Sequence, residues 1–545
     1  MKTMQQVSAD KLRGGFYSPQ ALVAVCLDRL RDLLPDSLDS LRLLEPSAGD
    51  GAFIRGLDAD PLGKRVRDLV AVELLETEAR RCEEAGGRAP FETDIRHGSF
   101  LDPDLVPEEG FDAAVGNPPF VRFQFVSDTE RSYADQVATG MGVTLKGVSN
   151  LWIPIFLCAL NKVREGGAFA FIIPAECLTG ISAGAVRRWL LRNCSSVRVD
   201  LFGPGSFPGV LQEVVVLSGR REPSAADARL TVWDHSAAGR AWHHSASPDA
   251  PTWTRYLLSP AQLEALDEVS SLSCVRSAGS WVRFGVATVT GANDYFSVDR
   301  ETIEQYGLEG WILPLLPRIR NAEGLVFTPE DHERNVDEGA RAGLIDFSRG
   351  ESSPLGHDGA LRYIHAGEQA ELHTRYKCRI REPWYCVPVV AAGDLLLSKR
   401  SHLYPRVVVN EVSAITTDTI YQGKMLAPEA MPARSFAASF HNSLTLLSAE
   451  IEGRSFGGGV LELVPSEVAR LRVMAHPSMS EELDRLDRIS RSASGDVEEV
   501  LIRETDGQLA KRIPEISDST LGLLAEARTE LQKRRLDRNR SSVPL

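Results

Sequence analysis

The sequence predicts an α/β fold for its first 220 residues and an α+β module for most of the rest. Three observations predict the α/β part. Apolar, strand-like runs alternate with helical stretches, a glycine-containing turn follows the first run, and an acid ends the second. This alternation is typical of a mostly parallel sheet covered on both faces, because each crossover lays a helix against the sheet.

Composition excludes several classes of protein. Of the 545 residues, 43% are hydrophobic and 25% are charged, which is average for a globular chain. No run approaches 18 uncharged apolar residues and the N-terminus lacks the apolar core of a secretory signal, so we expect neither a membrane span nor export. The cysteines form no C-x-x-C pair and the histidines no H-E-x-x-H motif, so we expect a cytoplasmic protein without a metal site.

Six apolar runs are the expected strands of the α/β part. A helix is expected over 151–163, ended by Gly166 and Gly167. The expected strands are LRLLEP (41–46), DLVAVEL (68–74), FDAAVG (111–116), AFAFIIP (168–174), VRVDLF (197–202) and EVVVLSG (213–219).

The pattern loosens after residue 222, and the Ser/Pro-rich stretch 245–253 indicates a boundary. Short β-like runs split by turns fill 275–475, and a polar helical pattern follows from about 478. The sequence therefore predicts three segments: 1–245, 246–475 and 476–545.

The first chemical motif is LEPSAGDGAF at 44–53, where an apolar strand runs into a glycine turn and then a helix. Glycines there allow close approach of a ligand to the backbone. Glu73 ends the second strand, where nucleotide-binding folds place an acid that binds ribose hydroxyls. Neither a G-x-x-x-x-G-K-[ST] loop nor a full G-x-G-x-x-G is present, so an adenosine ligand without a pyrophosphate fits best.

The second motif is Asn117-Pro118-Pro119-Phe120, directly after the strand FDAAVG. Two prolines fix the backbone and remove N–H donors, so carbonyl groups of the loop can accept hydrogen bonds beside the Asn117 side-chain carbonyl. These acceptors can take both hydrogens of an exocyclic amine and increase electron density on its nitrogen. Phe120 adds a flat ring on which a base can stack.

These motifs, in this order, resemble S-adenosylmethionine-dependent amino-methyltransferases, and in particular the TaqI-like gamma class of N6-adenine DNA methyltransferases of type II restriction-modification systems. The resemblance is close over the first 220 residues and looser over 284–473. It implies a Rossmann-like S-adenosylmethionine-dependent methyltransferase domain over 1–245, a C-terminal α+β target recognition domain over 246–475, and a helical extension over 476–545.

The resemblance also implies the cofactor, S-adenosyl-L-methionine, and the residues that hold it. GGFYSPQALV (14–23) resembles the leading cofactor segment, and GSFLD (98–102) resembles the segment that contacts the cofactor's adenine. The implied cofactor-binding residues are Ser18, Pro19, Glu45, Pro46, Ser47, Gly49, Gly51, Glu73, Phe100 and Asn117.

One position departs from the family. Members often have an acid, which hydrogen-bonds to the cofactor's adenine amine, where this chain has Ser99. Asp102 is the substitute that the neighbouring sequence offers.

By the same resemblance, Asn117, Pro118, Pro119 and Phe120 form the catalytic tetrapeptide, with Phe in place of the commoner Tyr. SFPGVLQEVVVL (206–217) resembles the segment whose aromatic residue covers the other face of the target base, which assigns that role to Phe207. The reaction implied is methylation of adenine N6 in duplex DNA, with the base flipped out of the stack between Phe120 and Phe207.

The best candidate for a DNA-facing surface lies at 362–406. Eight basic residues oppose four acids there, in a chain of net charge −14, and aromatic residues are interleaved with them. Basic residues among aromatic ones suit a nucleic-acid surface, and a solvated charged face is the competing interpretation. The predicted DNA-binding residues are Arg375, Lys377, Arg379, Arg381, Lys399 and Arg400.

Four alternative functions remain open. Amino-methylation of cytosine N4, ribosomal RNA or a protein glutamine would use the same loop, and a catalytically idle DNA-binding specificity protein would need neither motif. The expected partner is double-stranded DNA. The chain has no clear P-D-x(n)-[DE]-x-K nuclease pattern, so we expect methylation alone, either as the modification half of a restriction system with a separately encoded endonuclease or as a solitary enzyme. We expect a monomer.

Overall fold

A computed structural model of the chain describes residues 18–121, 123, 126–145, 147, 150–180, 182–203, 213–223, 229–235, 239–349, 353–456, 458–492 and 496–537. The chain divides into two compact units. The N-terminal unit comprises Met1–Pro260 with Asp537–Leu545, and the C-terminal unit comprises Ala261–Leu536. The first unit thus extends beyond the expected boundary at 245, and residues 476–536 belong to the second unit.

The N-terminal unit alternates helices with strands. Its helices are α1 (Gln20–Leu33), α2 (Ala52–Ala59), α3 (Glu76–Gly86), α4 (Asp128–Gly140), α5 (Trp152–Lys162), α6 (Glu176–Thr179) and α7 (Gly184–Asn193). Its strands are β1 (Leu41–Glu45), β2 (Val66–Glu73), β3 (Glu92–His97), β4 (Phe111–Gly116), β5 (Val163–Pro174), β6 (Cys194–Leu201), β7 (Val214–Arg221), β8 (Arg229–Asp234) and β9 (Arg240–Ser245).

Within the described residues these strands form one sheet in the order β3-β2-β1-β4-β5-β7-β6-β8-β9. The pairs from β3 to β5 are parallel, whereas β7 runs antiparallel to both of its neighbours. The chain proceeds from β1 outward to β3 and then returns to place β4 on the other side of β1. Ligands of open α/β sheets bind beyond the carboxyl ends of the strands at such a reversal, so the topology places a site between the ends of β1 and β4.

Both faces of this sheet are buried, as the apolar runs predict. On one face, Phe156 of α5 packs edge-on against Phe169 and Phe171 of β5, with ring centroids 5.6 and 5.2 Å apart. On the other, Leu27 of α1 and Phe53 of α2 belong to a core cluster with residues of β1, β4 and β5. Burying side chains of this size stabilises the fold by roughly 1.5–3 kcal/mol each.

The structure differs from the expected elements at the helix over 151–163. Helix α5 ends at Lys162 and β5 begins at once at Val163, so both glycines lie inside the strand and not at the end of the helix. Gly166 adopts a left-handed φ of +76°, a conformation that glycine tolerates.

The C-terminal unit mixes short strands and helices, as expected of an α+β module. Its helices are α8 (Pro260–Ser270), α9 (Asn293–Phe296), α10 (Arg300–Tyr306), α11 (Pro329–Asp337), α12 (Asp358–Gln369), α13 (Tyr376–Arg379), α14 (Ala433–Phe440), α15 (Ser443–Glu452), α16 (Pro465–Arg470), α17 (Leu483–Ser490), α18 (Val497–Arg512) and α19 (Asp518–Asp537). Its strands are β10 (Val275–Ser277), β11 (Val282–Gly285), β12 (Ser297–Val298), β13 (Ile312–Pro314), β14 (Val326–Phe327), β15 (Gly343–Ile345), β16 (Leu395–Ser398), β17 (Arg400–Ser401), β18 (Val407–Asn410), β19 (Ile420–Met425), β20 (Arg454–Phe456), β21 (Val460–Glu462) and β22 (Arg472–Met474).

The largest sheet described in this unit has five strands, in the order β11-β19-β16-β18-β14. Smaller sheets join β12, β15 and β13, then β17, β21 and β20, and finally β10 and β22. All but the β14–β18 pair are antiparallel.

Buried and half-buried ion pairs join the helices after residue 476 to the rest of this unit. Arg491, just after α17, donates to both carboxylate oxygens of Asp331, at 2.7 and 2.8 Å. Arg535 on α19 is buried and pairs with the buried carboxylate of Glu450, at 2.7 Å. Pairs of this kind hold the last helices to the rest of the C-terminal unit, because removing one partner leaves the other charge buried and unpaired.

Among the described residues, no helix combines the length and apolarity that crossing a membrane requires. No three His, Cys, Asp or Glu side chains of that part of the chain group as metal ligands.

Candidate functional site

The glycine turn after β1 forms the floor of the candidate cofactor site. Gly49 and Gly51 both adopt left-handed φ angles, +56° and +82°, which side-chain-bearing residues rarely tolerate. A Cβ on Gly51 would lie 3.0 Å from the Cβ of Ala85, so this glycine lets α2 pack closely on α3. Nothing lies within 4 Å of a Cβ built on Gly49, so its backbone faces open space that a ligand can enter.

Glu73, at the end of β2, fixes the shape of this turn. Its Oε2 accepts a hydrogen bond from the Gly49 N–H at 2.8 Å, and its Oε1 accepts one from the Leu75 N–H at 2.9 Å. The carboxylate is buried and directly links the first two strand ends. The acid that the sequence predicts to bind ribose is therefore positioned by backbone donors before any ligand arrives.

Glu45, the last residue of β1, has a buried carboxyl group that lacks a hydrogen-bond partner in the described chain. It is 0% exposed, and neither carboxylate oxygen has a hydrogen-bond partner among the described residues. Burial, with the negative charges of Glu73 and Asp50, raises the pKa of Glu45 well above its ordinary value, and Arg55 opposes that shift. The Ser47 hydroxyl, two residues on, is likewise buried without a partner in the described chain.

These groups fit S-adenosyl-L-methionine. Unpaired buried polar groups are costly, so native proteins usually satisfy them with a ligand or water. The Glu45 carboxylate and Ser47 hydroxyl suit the cationic and polar groups of that cofactor, and Glu73 stands where a ribose hydroxyl would bind.

The remaining predicted cofactor residues lie around the same strand ends. Ser18 and Pro19 precede α1, and the Pro19 carbonyl accepts from the Leu22 and Val23 N–H groups, which starts the helix. Pro46 is buried directly after β1, and Phe100 is 4% exposed in the turn after β3.

The tetrapeptide predicted to be catalytic follows β4, on the other side of β1 from β2. Asn117 donates from Nδ2 to the Ser18 hydroxyl oxygen at 3.2 Å. This bond engages the amide nitrogen, and the Oδ1 of the same amide is a hydrogen-bond acceptor. Pro118 is buried, while Pro119 and Phe120 are half-buried, and Phe120 packs against the core cluster of the sheet.

The predicted second aromatic of the base pocket, Phe207, lies outside the described residues. Its role stays a prediction. The strand that follows it, β7, is in the sheet between β5 and β6.

Helix α4 begins with a capping box near the catalytic loop predicted from the sequence. The Glu130 Oε2 accepts from the Ser127 N–H at 2.9 Å and from the Ser127 hydroxyl at 2.6 Å, and the Glu130 N–H donates to the Ser127 hydroxyl oxygen at 3.3 Å. The S-x-x-E pattern at 127–130 is typical of such a box.

The predicted DNA-binding residues separate into two groups. Arg375, Lys377 and Arg379 are exposed on and beside the short helix α13, and none of them forms an ion pair with a carboxylate in the described chain. Tyr376 and Ile380, on the same turn, are 64% and 62% exposed. This set of five, which we call the α13 surface, combines exposed cations that form no ion pair in the described chain with exposed large side chains, and the Lys377 Nζ lies 5.7 Å from the centre of the Tyr376 ring.

The other three cations contact the protein itself. Arg381 donates to the Val289 and Thr290 carbonyl oxygens, the latter at 2.7 Å, and so holds the loop after β11 against α13. Lys399 and Arg400 lie 3.5 and 3.3 Å from the Glu462 carboxylate.

Comparison with known proteins gives the family. Residues 76–206 match the model of the "Eco57I restriction-modification methylase", and residues 250–509 match that of the "Type II methyltransferase M.Eco57I, C-terminal domain". Between them the two matches cover most of both units.

Curated relatives match over most of their length. The chain is 23% identical over 476 residues to the Type II methyltransferase M.XamI of Xanthomonas campestris pv. amaranthicola, covering 84% of this chain and 85% of that protein. It is 20% identical over 452 residues to the Type II methyltransferase M.AccI of Acinetobacter calcoaceticus, covering 78% and 79%.

A solved structure shares the fold. The Type IIL restriction-modification enzyme MmeI, determined in complex with DNA, matches with a TM-score of 0.51 at 13% identity, over 94% of this chain and 71% of that one. Methylases of this family take their methyl group from S-adenosyl-L-methionine, the cofactor that the residues around Glu45 and Glu73 fit. With both halves matched by models of one enzyme family, the chain belongs to the Eco57I restriction-modification methylases, which are Type II methyltransferases.

Proposed function

We propose that this protein transfers the methyl group of S-adenosyl-L-methionine to the N6 amine of an adenine flipped out of duplex DNA. One observation carries the proposal. The Asn117-Pro118-Pro119-Phe120 loop lies at the carboxyl end of β4, next to the glycine turn of β1, with the Asn117 amide oriented by Ser18. An acceptor set that suits an exocyclic amine thus stands beside a cofactor-binding turn.

In this proposal, Asn117 and Pro118 hold the amine. Oδ1 of Asn117 and the Pro118 carbonyl oxygen accept its two hydrogens, which orients the nitrogen lone pair and reduces its conjugation with the ring. Asparagine at this position favours adenine, because serine is commoner in the enzymes that methylate cytosine N4. Electrostatic positioning of this kind needs no covalent enzyme intermediate.

Phe120 stacks on one face of the flipped base, and Phe207 is proposed for the other face. Flipping is required because the N6 amine cannot reach a methyl donor while the base is stacked in the duplex. Stacking offsets part of the cost of removing the base from its neighbours.

S-adenosyl-L-methionine supplies an electrophilic methyl group on a sulfonium sulfur. Glu73 is proposed to bind the ribose, and Glu45 with Ser47 the polar end of the cofactor. Phe100, already packed in the turn after β3, is proposed to contact the adenine ring. Gly49 admits the ligand to the backbone because no side chain covers it.

The α13 surface is proposed to face the DNA. Its three cations, Arg375, Lys377 and Arg379, are unpaired in the described chain and can neutralise phosphates. Arg381 is proposed to hold this surface in place through its hydrogen bonds to the Val289 and Thr290 carbonyl groups. Lys399 and Arg400, engaged with Glu462, are proposed as secondary contacts.

We also propose that the enzyme acts on DNA in the cytoplasm as a monomer. A separately encoded endonuclease is proposed to cleave unmodified sites, since these 545 residues contain no clear nuclease motif.

The experiment that tests the acceptor class uses radiolabelled S-adenosyl-L-methionine with duplex DNA, ribosomal RNA and protein in parallel. The proposal predicts label in DNA, and long-read sequencing of DNA from expressing cells should place methyladenine in one fixed motif. Label in RNA or protein alone would contradict it, and label in none would indicate an idle DNA-binding protein.

A further inference from the structure

The loop that follows β11 exposes two valine side chains to solvent. Val286 and Val289 are 55% and 39% exposed, whereas the small residues around Val289 are buried: Ala287, Thr288 and Thr290. The loop therefore buries its threonines and leaves its larger apolar side chains outside. Exposed apolar side chains that lie together are typical of an interaction site.

Hydrogen bonds on both sides of Val289 hold the backbone of this loop. The Thr288 N–H donates to the Thr416 carbonyl oxygen at 3.1 Å, and the Thr288 hydroxyl oxygen accepts from the Val390 N–H at 3.0 Å. The Thr290 carbonyl oxygen accepts from Arg381 at 2.7 Å. Val289 thus has a fixed position, and its branched side chain is itself stiff at χ1.

Helix α13 packs directly against the loop. Gly291 has a left-handed φ of +81°, and a Cβ on it would lie 2.7 Å from the Cβ of Lys377, closer than a side chain allows. Arg381 also donates to the Val289 carbonyl oxygen. Ile380, directly after α13 and 62% exposed, is therefore held close to the loop.

The segment that leads to β16 joins the same surface. Ala292 of the loop, Cys378 of α13 and Val387 of this segment are buried in one hydrophobic cluster. Val390, three residues beyond Val387, is 41% exposed. We call the exposed aliphatic side chains of these three segments the apolar patch: Val286, Val289, Ile380 and Val390.

The charges beside the apolar patch favour DNA as its partner. Arg375, Lys377 and Arg379 of the α13 surface adjoin it and form no ion pair in the described chain. Cations of this kind suit the phosphates on either side of a groove. Phosphate contacts carry no sequence information, whereas an apolar contact with the 5-methyl group of thymine, in the major groove, does.

We propose that the apolar patch reads sequence by contacting thymine 5-methyl groups in the major groove, with Val289 and Ile380 as the contacting side chains. This inference rests on the proposed role of the α13 surface in DNA binding and deepens it. The cations hold the duplex by its phosphates, and the apolar patch distinguishes thymine from cytosine and the purines.

The test replaces the thymines of a duplex one at a time with deoxyuridine, which lacks only the methyl group. The duplex carries the methylated motif and contains at least one thymine, because every target adenine pairs with one. Dissociation constants are measured by fluorescence anisotropy. The wild type should bind at least one substituted duplex about fourfold more weakly, the effect of losing one buried methyl group.

The double variant Val289→Ala/Ile380→Ala should bind the thymine and deoxyuridine duplexes equally. Its salt dependence should match that of the wild type, because no charge is removed. Its melting temperature should change little, because both side chains are exposed. Leu355→Ala is the control: Leu355 is 55% exposed but lies outside the apolar patch, so this variant should keep the wild-type sensitivity to deoxyuridine.

The outcomes separate this inference from the proposed function. If the wild type binds every substituted duplex as tightly as the parent, or if the double variant is as sensitive as the wild type, the inference is overturned. Equal weakening of cognate and scrambled duplexes by the double variant would overturn it too. If the wild type methylates no duplex, the proposed function itself fails.

Discussion

Charged side chains are used in opposite ways in the two units. In the N-terminal unit, the carboxylates of Glu45 and Glu73 are buried at strand ends, and Glu73 is held by two backbone N–H groups. In the C-terminal unit, the cations Arg375, Lys377 and Arg379 extend into solvent from a four-residue helix.

This difference agrees with the proposed roles of the two units, in which the first binds the cofactor and the target base and the second contacts DNA. A small cofactor and a single base are bound by groups held at fixed positions, because a shift of about 1 Å can cost a hundredfold in rate. Phosphates of DNA are contacted through charge, which acts over about 10 Å at moderate salt and tolerates mobile side chains. Substitutions in the first unit should therefore change chemistry or cofactor binding, and those on the α13 surface should change DNA affinity alone.

The largest expected effect is at Asn117. Asn117→Ala removes Oδ1, an acceptor of the target amine, so the rate of methyl transfer should fall by about a hundredfold or more. Calorimetry should still show S-adenosylhomocysteine binding, because Glu45 and Glu73 remain. Near-normal turnover would show that the chemistry lies outside this loop.

Stacking on Phe120 should give the next largest effect. Phe120→Ala should weaken binding of a flipped base by roughly 1–3 kcal/mol, whereas Phe120→Tyr keeps the ring and should stay active. Fluorescence of 2-aminopurine at the target position measures the change, since the probe brightens as it leaves the stack. Equal signals from the wild type and Phe120→Ala would remove Phe120 from the base pocket.

The α13 surface can be tested by the salt dependence of DNA binding. Replacing Arg375 and Arg379 with Gln should flatten the log–log slope by about 0.9 for each phosphate that the variant no longer neutralises, and it should leave cofactor affinity unchanged. Arg400→Gln is the matched control, because Arg400 is engaged with Glu462 and its replacement should change the slope less. If the variant binds cognate and scrambled duplexes as the wild type does at every salt concentration, the α13 surface is exposed to solvent and does not contact DNA.

The smallest expected effect is a pH-dependent change in stability at Glu45. Because its folded-state pKa is raised, the buried carboxyl contributes stability that is present below its unfolded pKa and is lost as the pH rises through the folded value. Glu45→Gln keeps a neutral side chain at every pH. The melting temperature of this variant, relative to that of the wild type, should therefore increase as the pH rises. Exposed Glu84→Gln serves as the control and should not show that trend. Parallel profiles for the wild type and Glu45→Gln would contradict the description of this site.

Most of the sheet could be predicted from the sequence because its central strands are continuous buried runs. Strands β1, β2 and β4 lie where the apolar segments place them, and β5 contains its predicted segment but begins earlier, at Val163. Strand β3 was missed because its sequence, ETDIRH, is polar: it is an edge strand, and its residues alternate between exposed and half-buried. Strand β9, at the other edge, is likewise mostly exposed, whereas β8 beside it has three consecutive buried residues and was missed as a short run.

The candidate site divides in the same way. The positions of Gly49, Glu73 and Asn117 could be predicted because each lies in a short sequence motif at or directly after the end of a strand. The hydrogen bond between Asn117 and Ser18 was not, since these residues lie 99 positions apart in the chain and only the tertiary fold brings them together. Local composition likewise could not separate Arg381, which bonds to loop carbonyl groups, from Arg379, which is exposed.

The central claim is that the Asn117 loop methylates adenine N6 in duplex DNA. The most direct measurement incubates duplex DNA with S-adenosyl-L-methionine carrying a deuterated methyl group, digests the product to nucleosides and identifies the labelled one by mass spectrometry. We predict labelled N6-methyl-2′-deoxyadenosine with the wild type and almost none with Asn117→Ala. Label on cytosine, or equal labelling of adenine by the two proteins, would contradict the claim.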